Sequence, residues 1–291
     1  MPWILANLGI FVTMNKRIER LWQRWGDAVR FLLWGLTVAL ECFLLHRVAM
    51  TGSTQHLVPM SEGARDSLMT VAVPRSVPDT LVRYGAFDVH FNSGLGIANC
   101  AAYELVNNEL YGTAERAGEF MQDAGVKGCP SSQDYAGSGM DRGHLVPAAD
   151  LKWNEVAMRQ SFLLTNVAPM HKALNEGGWA KLEEKVREWT LRDSVLLVFT
   201  GPVVSAGDTT LSSGRVTVPS AYYKVIMAPC VRPMRAIAFI YPNGHSGGRL
   251  QQYAVSIDEV EHRTGLDFFP FLPDRDQHQI ESPVNLDAWV N

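Results

Sequence analysis

Cysteine is scarce. Only Cys42, Cys100, Cys129 and Cys230 occur, with no Cys-x-x-Cys pair and no Cys/His spacing that would hold zinc. A cysteine-based zinc site is therefore excluded. A Cys100–Cys129 disulfide and buried free thiols remain open alternatives, and three cysteines beyond Cys42 cannot all pair within the chain. Positive charge is also in deficit, with 26 Lys and Arg against 30 Asp and Glu, a net charge of −4. The first fifty residues hold six basic and three acidic side chains, so they carry +3 and the remaining 241 residues carry −7. This excludes a globally basic nucleic-acid binder, and any phosphate contact must come from a local cluster. Internal repeats and low-complexity tracts are absent. So is an unbroken apolar run of the roughly 20 residues that a comfortable membrane span needs.

What is present is an ordinary globular composition, 47% hydrophobic and 19% charged, so a folded chain is expected. The N-terminal 1–50 reads as a signal or signal-anchor segment. Phe31–Leu40 is apolar apart from Thr37, Cys42–Leu45 extends it, and basic residues precede it. Met14 is an alternative start, because a chain beginning there has a clean positive region followed by the apolar one. Either way the charge bias predicts that residues after about 50 lie outside the cytoplasm, secreted, periplasmic or membrane-anchored, with a mitochondrial setting as the alternative. Residues 51–83, polar and bearing Pro59, Pro74 and Pro78, read as a linker.

The remainder, 84–291, reads as one domain. Phe87–Phe91 alternates like a strand, and Ile97–Val106, Ser194–Thr200, Tyr222–Ala228 and Ala236–Tyr241 are further strand candidates. Residues 114–138 read as loop. Ser256 and Glu259 form a capping-box pattern that opens a helix ending at Gly265. Strands and helices are interspersed without a βαβ rhythm, which predicts an α+β fold.

Three polar pieces carry the chemistry: Gly137-Ser138-Gly139-Met140-Asp141-Arg142-Gly143-His144, then Leu163-Leu164-Thr165-Asn166-Val167-Ala168-Pro169, then Asn175 through Glu183. An arginine beside a histidine between glycines suits a phosphate. Glycine lets backbone come close, guanidinium binds phosphate oxygens in pairs, and imidazole accepts a proton near neutrality. Each of these residues taken alone has a structural reading as well. In the third piece the helical period places Trp179, Leu182, Val186 and Trp189 on one apolar stripe. On that same wheel Asn175, read as the N-cap, and Glu183 turn inward, whereas Glu184 faces solvent. An inward Asn and an inward Glu suggest a polar site within the fold.

Asp141-Arg142-Gly143-His144, then Asn166, then Asn175-x-x-x-Trp179-x-x-Leu182-Glu183 together resemble the DNA/RNA non-specific endonuclease family, which includes secreted bacterial nucleases and mitochondrial endonuclease G. The resemblance extends to Thr264–Pro270 and covers about residues 84–282. It implies a ββα-metal (His-Me finger) domain with a central antiparallel sheet and flanking helices, and a homodimer as one assembly. It further implies cleavage of DNA and RNA without marked sequence or sugar preference, leaving 5′-phosphate ends. By that resemblance His144 is the general base, Asn175 the magnesium ligand (manganese as an alternative), and Glu183 orients metal-bound waters. Arg142 contacts phosphate, and Asp141 and Asn166 brace the motif. One departure from the family pattern is Met170-His171, where many members carry Gln. A phosphodiesterase acting on other substrates and an inactive nucleic-acid-binding relative are the competing readings.

Overall fold

The computed structural model describes Val58 and residues 60–290. The expected N-terminal targeting segment lies outside the described residues, as does Cys42. In chain order the strands that matter are β1 (Thr80–Arg83), β2 (Phe87–Asn92), β3 (Ile97–Val106), β4 (Asp141–His144), β5 (Val167–Met170), β6 (Val195–Val203), β7 (Ala221–Ala228), β8 (Arg235–Pro242) and β9 (Ala254–Val255). The helices are α1 (Glu62–Leu68), α2 (Glu155–Ser161), α3 (Ala180–Asp193), α4 (Ile257–Thr264) and α5 (Asp274–Glu281). Seven strands form one antiparallel sheet in the order β9-β8-β7-β6-β3-β2-β1. Strands β4 and β5 stand apart from it as a two-stranded antiparallel ribbon.

The central strands are apolar on both sides because both faces of the sheet are covered. Tyr103, Leu105, Leu196, Val198, Tyr222, Ile226 and Phe239 face a core closed by Trp179, Leu182, Val186 and Trp189 of the α3 region and by Leu145 and Val146 after the ribbon. Ala102, Leu197, Phe199, Val225 and Met227 face a second core, closed by Ile257 and Val260 of α4, Ile280 of α5 and the Phe268–Phe269 pair. This two-sided burial explains why the Ser194–Thr200 run reads as a continuous apolar block rather than an alternating one. The fold is therefore mixed α and β around a central antiparallel sheet, as the sequence predicts.

Two features differ from the sequence reading. Within the segment read as a linker, 51–83, α1 forms, Val71–Ala72 pairs with Asp267–Phe268, and β1 adds the edge strand of the main sheet. Polar composition hides this folded part because its elements are short and largely exposed, with Leu68 the only buried residue of α1. At the capping box, Ser256 does cap α4 by accepting from the Glu259 amide at 3.1 Å, but the Glu259 side chain accepts from Arg263 Nε at 2.6 Å instead of closing the box. The helix stops at Gly265, which takes the left-handed conformation at φ 74°. All three described cysteines are buried free thiols, which settles the disulfide alternative. No helix among the described residues is long and apolar enough to cross a membrane.

Candidate active site

The first two motif pieces fold onto each other. In the ribbon Asp141 lies opposite Met170, Arg142 opposite Pro169, Gly143 opposite Ala168 and His144 opposite Val167. Glycine is required at 143, since a Cβ there would stand 2.7 Å from the Met170 Cβ. Met170 thus seals the ribbon at the position where the sequence departs from the family pattern. Asn166 is fully buried and holds the turn that leaves β4: its Oδ1 accepts from the Val146 amide at 2.9 Å, and its Nδ2 donates to the carbonyls of Val146 and Ser161 at 3.0 and 2.9 Å. Every hydrogen bond of Asn166 goes to backbone, so its part is to shape the ribbon.

The third piece departs from a straight helix. Leu174–Trp179 is a π-helical segment kinked at Gly177 (φ −108°, ψ −109°), and regular α-helix begins only at Ala180. Asn175 is therefore not an N-cap, because it sits inside this widened turn. A single wheel from Asn175 to Trp189 does not hold across the kink. Within α3 the wheel does hold, with Leu182, Val186 and Trp189 buried, Glu183 half-buried and Glu184 exposed. π-turns of this kind recur at functional sites. Here the wide turn brings Asn175 to the ribbon, where its Nδ2 donates to Asp141 Oδ2 at 2.9 Å. A carboxylate can only accept, so this bond fixes the amide orientation and leaves the Asn175 carbonyl oxygen as the free end.

Arg142 and His144, two residues apart, share one face of β4. The His144 ring lies 5.0 Å from Phe120 and 4.7 Å, edge-on, from Phe162. Arg142 stacks over Phe120 at 5.3 Å, and the exposed Arg116 stacks over Phe162 at 5.0 Å. Nε2 of His144 is sealed and has no hydrogen-bond partner. Burial, and then the positive charge of Arg116, lower the His144 pKa to about 3, so the imidazole is neutral across the physiological range. The Arg116 charge also acts on Glu183, more weakly than that of Lys224. Burial raises the Glu183 pKa, while Lys224 pulls it back. Deeper still, Asp150 accepts from Tyr103 Oη at 2.8 Å and from Arg187 at 2.9 Å.

The structure thus joins Asp141 to Asn175 and sets Arg142, His144 and Arg116 around the Phe120 and Phe162 rings. Asn166 serves the ribbon from behind. Sequence reading passes over Arg116 and Phe120, which sit in a loop without periodicity, and Lys224, Asp150 and Arg187, which meet only through tertiary contacts. Elsewhere, the far core carries an acidic trio, Asp258, Glu261 and Glu281, with ligand oxygens within 4.8 Å of one another. Burial and mutual repulsion push Glu261 up to about 7 and Glu281 up to about 8, so these carboxyls hold protons near neutrality. The trio lies across the sheet from the ribbon and contains none of the motif residues.

Known proteins resemble this chain in sequence and in fold. The family described as DNA/RNA non-specific endonuclease matches residues 65–275. A nuclease of Nostoc sp. is 33% identical over 214 residues, covering 68% of this chain and 76% of that one. The nuclease of Serratia marcescens is 30% identical over 218 residues, covering 70% and 79%. The mitochondrial nuclease EXOG of Danio rerio is 35% identical over 189 residues, covering 59% of this chain and 55% of that longer protein. In structure, the chain resembles a crystal structure of an EndoG/EndoGI complex, with a TM-score of 0.63 at 22% identity, covering 68% of this chain and 89% of that one. That likeness concerns the fold. The chain belongs to the DNA/RNA non-specific endonuclease family and is a nuclease.

Proposed function

We propose that this nuclease is a metal-dependent hydrolase of the ββα-metal kind, in which ribbon β4–β5 and the helix begun at Leu174 form the reaction centre. The observation that carries the reading is the Asn175–Asp141 hydrogen bond, which leaves a neutral carbonyl oxygen free at the strand that also carries a neutral histidine. Magnesium takes oxygen ligands and retains most of its waters, so one side-chain carbonyl fits it. Glu183, half-buried and without a side-chain hydrogen bond among the described residues, is free to accept from such waters. Bound at Asn175, the ion would neutralise charge on the scissile phosphate and the leaving 3′-oxygen.

The chain's own residues supply the rest. Arg142 and Arg116, held over phenyl rings, offer guanidinium groups to phosphate oxygens. Because Nε2 is sealed, His144 takes the proton of the attacking water at Nδ1. A phosphate that neutralises Arg116 also lifts one of the two influences that depress His144, so substrate binding strengthens the base at the moment it is needed. Water attacks phosphorus in line, and the 5′-phosphate ends implied by family resemblance follow. The scheme assigns no residue to a base edge or a 2′-hydroxyl, in keeping with the breadth of substrate that family resemblance implies.

Substrate breadth tests the proposal. Supercoiled plasmid, single-stranded DNA and structured RNA should all be degraded with magnesium. Activity should fall steeply with salt, because an acidic domain relies on a few local cations. Strict cleavage at one short DNA motif would contradict it. The two neighbouring glutamates give a second expected outcome. Glu183→Ala should lower magnesium-dependent turnover by about 10- to 100-fold, in line with loss of a metal-supporting group, and the exposed Glu184→Ala should leave it within about twofold. Equal losses in steady-state assays would refute the role given to Glu183.

For location we propose delivery out of the cytoplasm, supported by the basic flank before Phe31–Leu45 and by relatives described as mitochondrial. Fusions joined after residue 60 should be active only with a reporter that works outside the cytoplasm. Activity confined to a cytoplasmic reporter would overturn the assignment. A homodimer, implied by family resemblance, is checked by sedimentation of the purified chain.

A further inference from the structure

Lys224 is read from sequence only as part of a strand, yet its side chain is completely buried. It projects from β7 between Tyr222 and Ile226, toward the core that α3 closes. Its Nζ makes no hydrogen bond and stands 4.7 Å from the centre of the Trp179 ring. An ammonium in such a place has lost its water, and an aromatic face compensates only in part. A buried charge is tolerated when an opposite charge faces it.

Two carboxylates act on Lys224, Glu183 more strongly than Asp150. Trp179, Glu183 and Arg187 follow at four-residue steps and line one face of the helix. Arg187 is committed to Asp150 at 2.9 Å, and the other oxygen of Asp150 is taken by Tyr103. Lys224 and Glu183 remain. Neither makes a side-chain hydrogen bond among the described residues, and each exerts the strongest opposing charge on the other.

We propose that Lys224 is a positioning residue of the nuclease centre: its sealed ammonium, resting on Trp179, is the fixed counter-charge that orients the Glu183 carboxylate toward the waters of the bound cation. The proposal rests on the role given to Glu183 above. Trp179 then has a further duty besides core packing, since it seats the lysine one helical turn before the glutamate it serves. The carboxylate keeps its oxygens free for metal waters because the lysine attracts it through charge and does not bond it directly.

The test compares the full-length wild type with Lys224→Met, Lys224→Arg, Glu183→Gln and the double variant Glu183→Gln/Lys224→Met. The readouts are turnover on plasmid DNA, the magnesium concentration for half-maximal rate, and Tm. Lys224→Met should lose about 10- to 100-fold in turnover and need several-fold more magnesium, as supporting groups of metal sites do. Lys224→Arg should recover part of the loss, because it retains the charge. The double variant should be no more than about threefold slower than Glu183→Gln alone, since without the carboxylate the lysine has nothing to orient. Losses that multiply in the double variant, or a Lys224→Met protein with wild-type turnover and magnesium dependence, would overturn the proposal. If Lys224→Met unfolds at the assay temperature, the double variant, which removes both charges, should regain Tm, and a Tm that stays low would equally overturn it. Wild-type protein that cleaves without any divalent cation would instead sink the metal reading. The Tm coupling between the two positions would then still decide whether they pair.

Discussion

His144→Ala is expected to yield a folded protein that cleaves DNA and RNA at least about 10²-fold, and up to about 10⁴-fold, more slowly, the range over which a positioned general base accelerates proton transfer. The substitution empties the space between Phe120 and Phe162 without touching Asn175 or its bond to Asp141. Magnesium binding, followed by calorimetry, should therefore be unchanged, and added imidazole should restore part of the rate by entering the vacated space. The pH dependence follows from the lowered pKa. A histidine whose pKa falls from its ordinary 6.5 to about 3 stays in its basic form as the solution is acidified. The acid limb of kcat/KM, which reports the free enzyme, should accordingly lie well below 6.5. The limb of kcat, which reports the complex, should lie higher, because phosphate at Arg116 removes part of the repulsion. A kcat/KM profile that collapses on passing below about pH 7, near the ordinary histidine range, would contradict the burial assigned to this ring.

Asn175→Ala should be at least as damaging to turnover, but for a different reason. It removes the carbonyl oxygen proposed to hold the cation and leaves the Asp141 carboxylate without its amide donor. Magnesium affinity should drop by about 10-fold or more, imidazole should not rescue, and raising magnesium should restore only part of the rate. The protein should stay folded, because the half-buried Asn175 contributes one side-chain hydrogen bond, worth about 1 kcal/mol. It caps no helix, so no helix end is lost. The opposite pattern, with metal binding lost in His144→Ala and kept in Asn175→Ala, would reverse the two roles.

The site is legible in the sequence to the extent that its pieces are local. Glu183 lies in phase with Leu182 and Val186 on one helix, so its spacing shows which way it turns. Asp141 through His144 are contiguous and so stay together, although the short strand they form carries no periodic pattern to read. Asn175 reads in phase with that helix although a kink intervenes. Two consecutive glycines at 177 and 178 permit a π-turn that no wheel represents, and the turn is what carries Asn175 to Asp141. Strand runs such as Ile97–Val106 are recognisable because a sheet covered on both faces demands nearly continuous apolar residues. The edge strand Thr80–Arg83 and helix α1 escape sequence reading because short, exposed elements leave little hydrophobic pattern. Arg116 and Lys224 escape it for opposite reasons. Arg116 lies on an irregular loop and meets Phe162, 46 residues on, only through tertiary packing. Lys224 has the pattern of any solvent-facing lysine in a strand until the sheet and α3 bury it. Long-range burial of a charge leaves no periodic trace in the sequence.

On this reading the chain cleaves phosphodiesters with a neutral histidine, sealed at Nε2, and a cation held by Asn175. Incubating full-length protein with supercoiled plasmid, with magnesium and with excess EDTA, and then labelling the product ends, tests it most directly. Magnesium should give nicking and then degradation with 5′-phosphate ends, EDTA should arrest cleavage, and magnesium restored in excess should recover it. Cleavage that continues undiminished in EDTA, or products bearing 3′-phosphates, would contradict it.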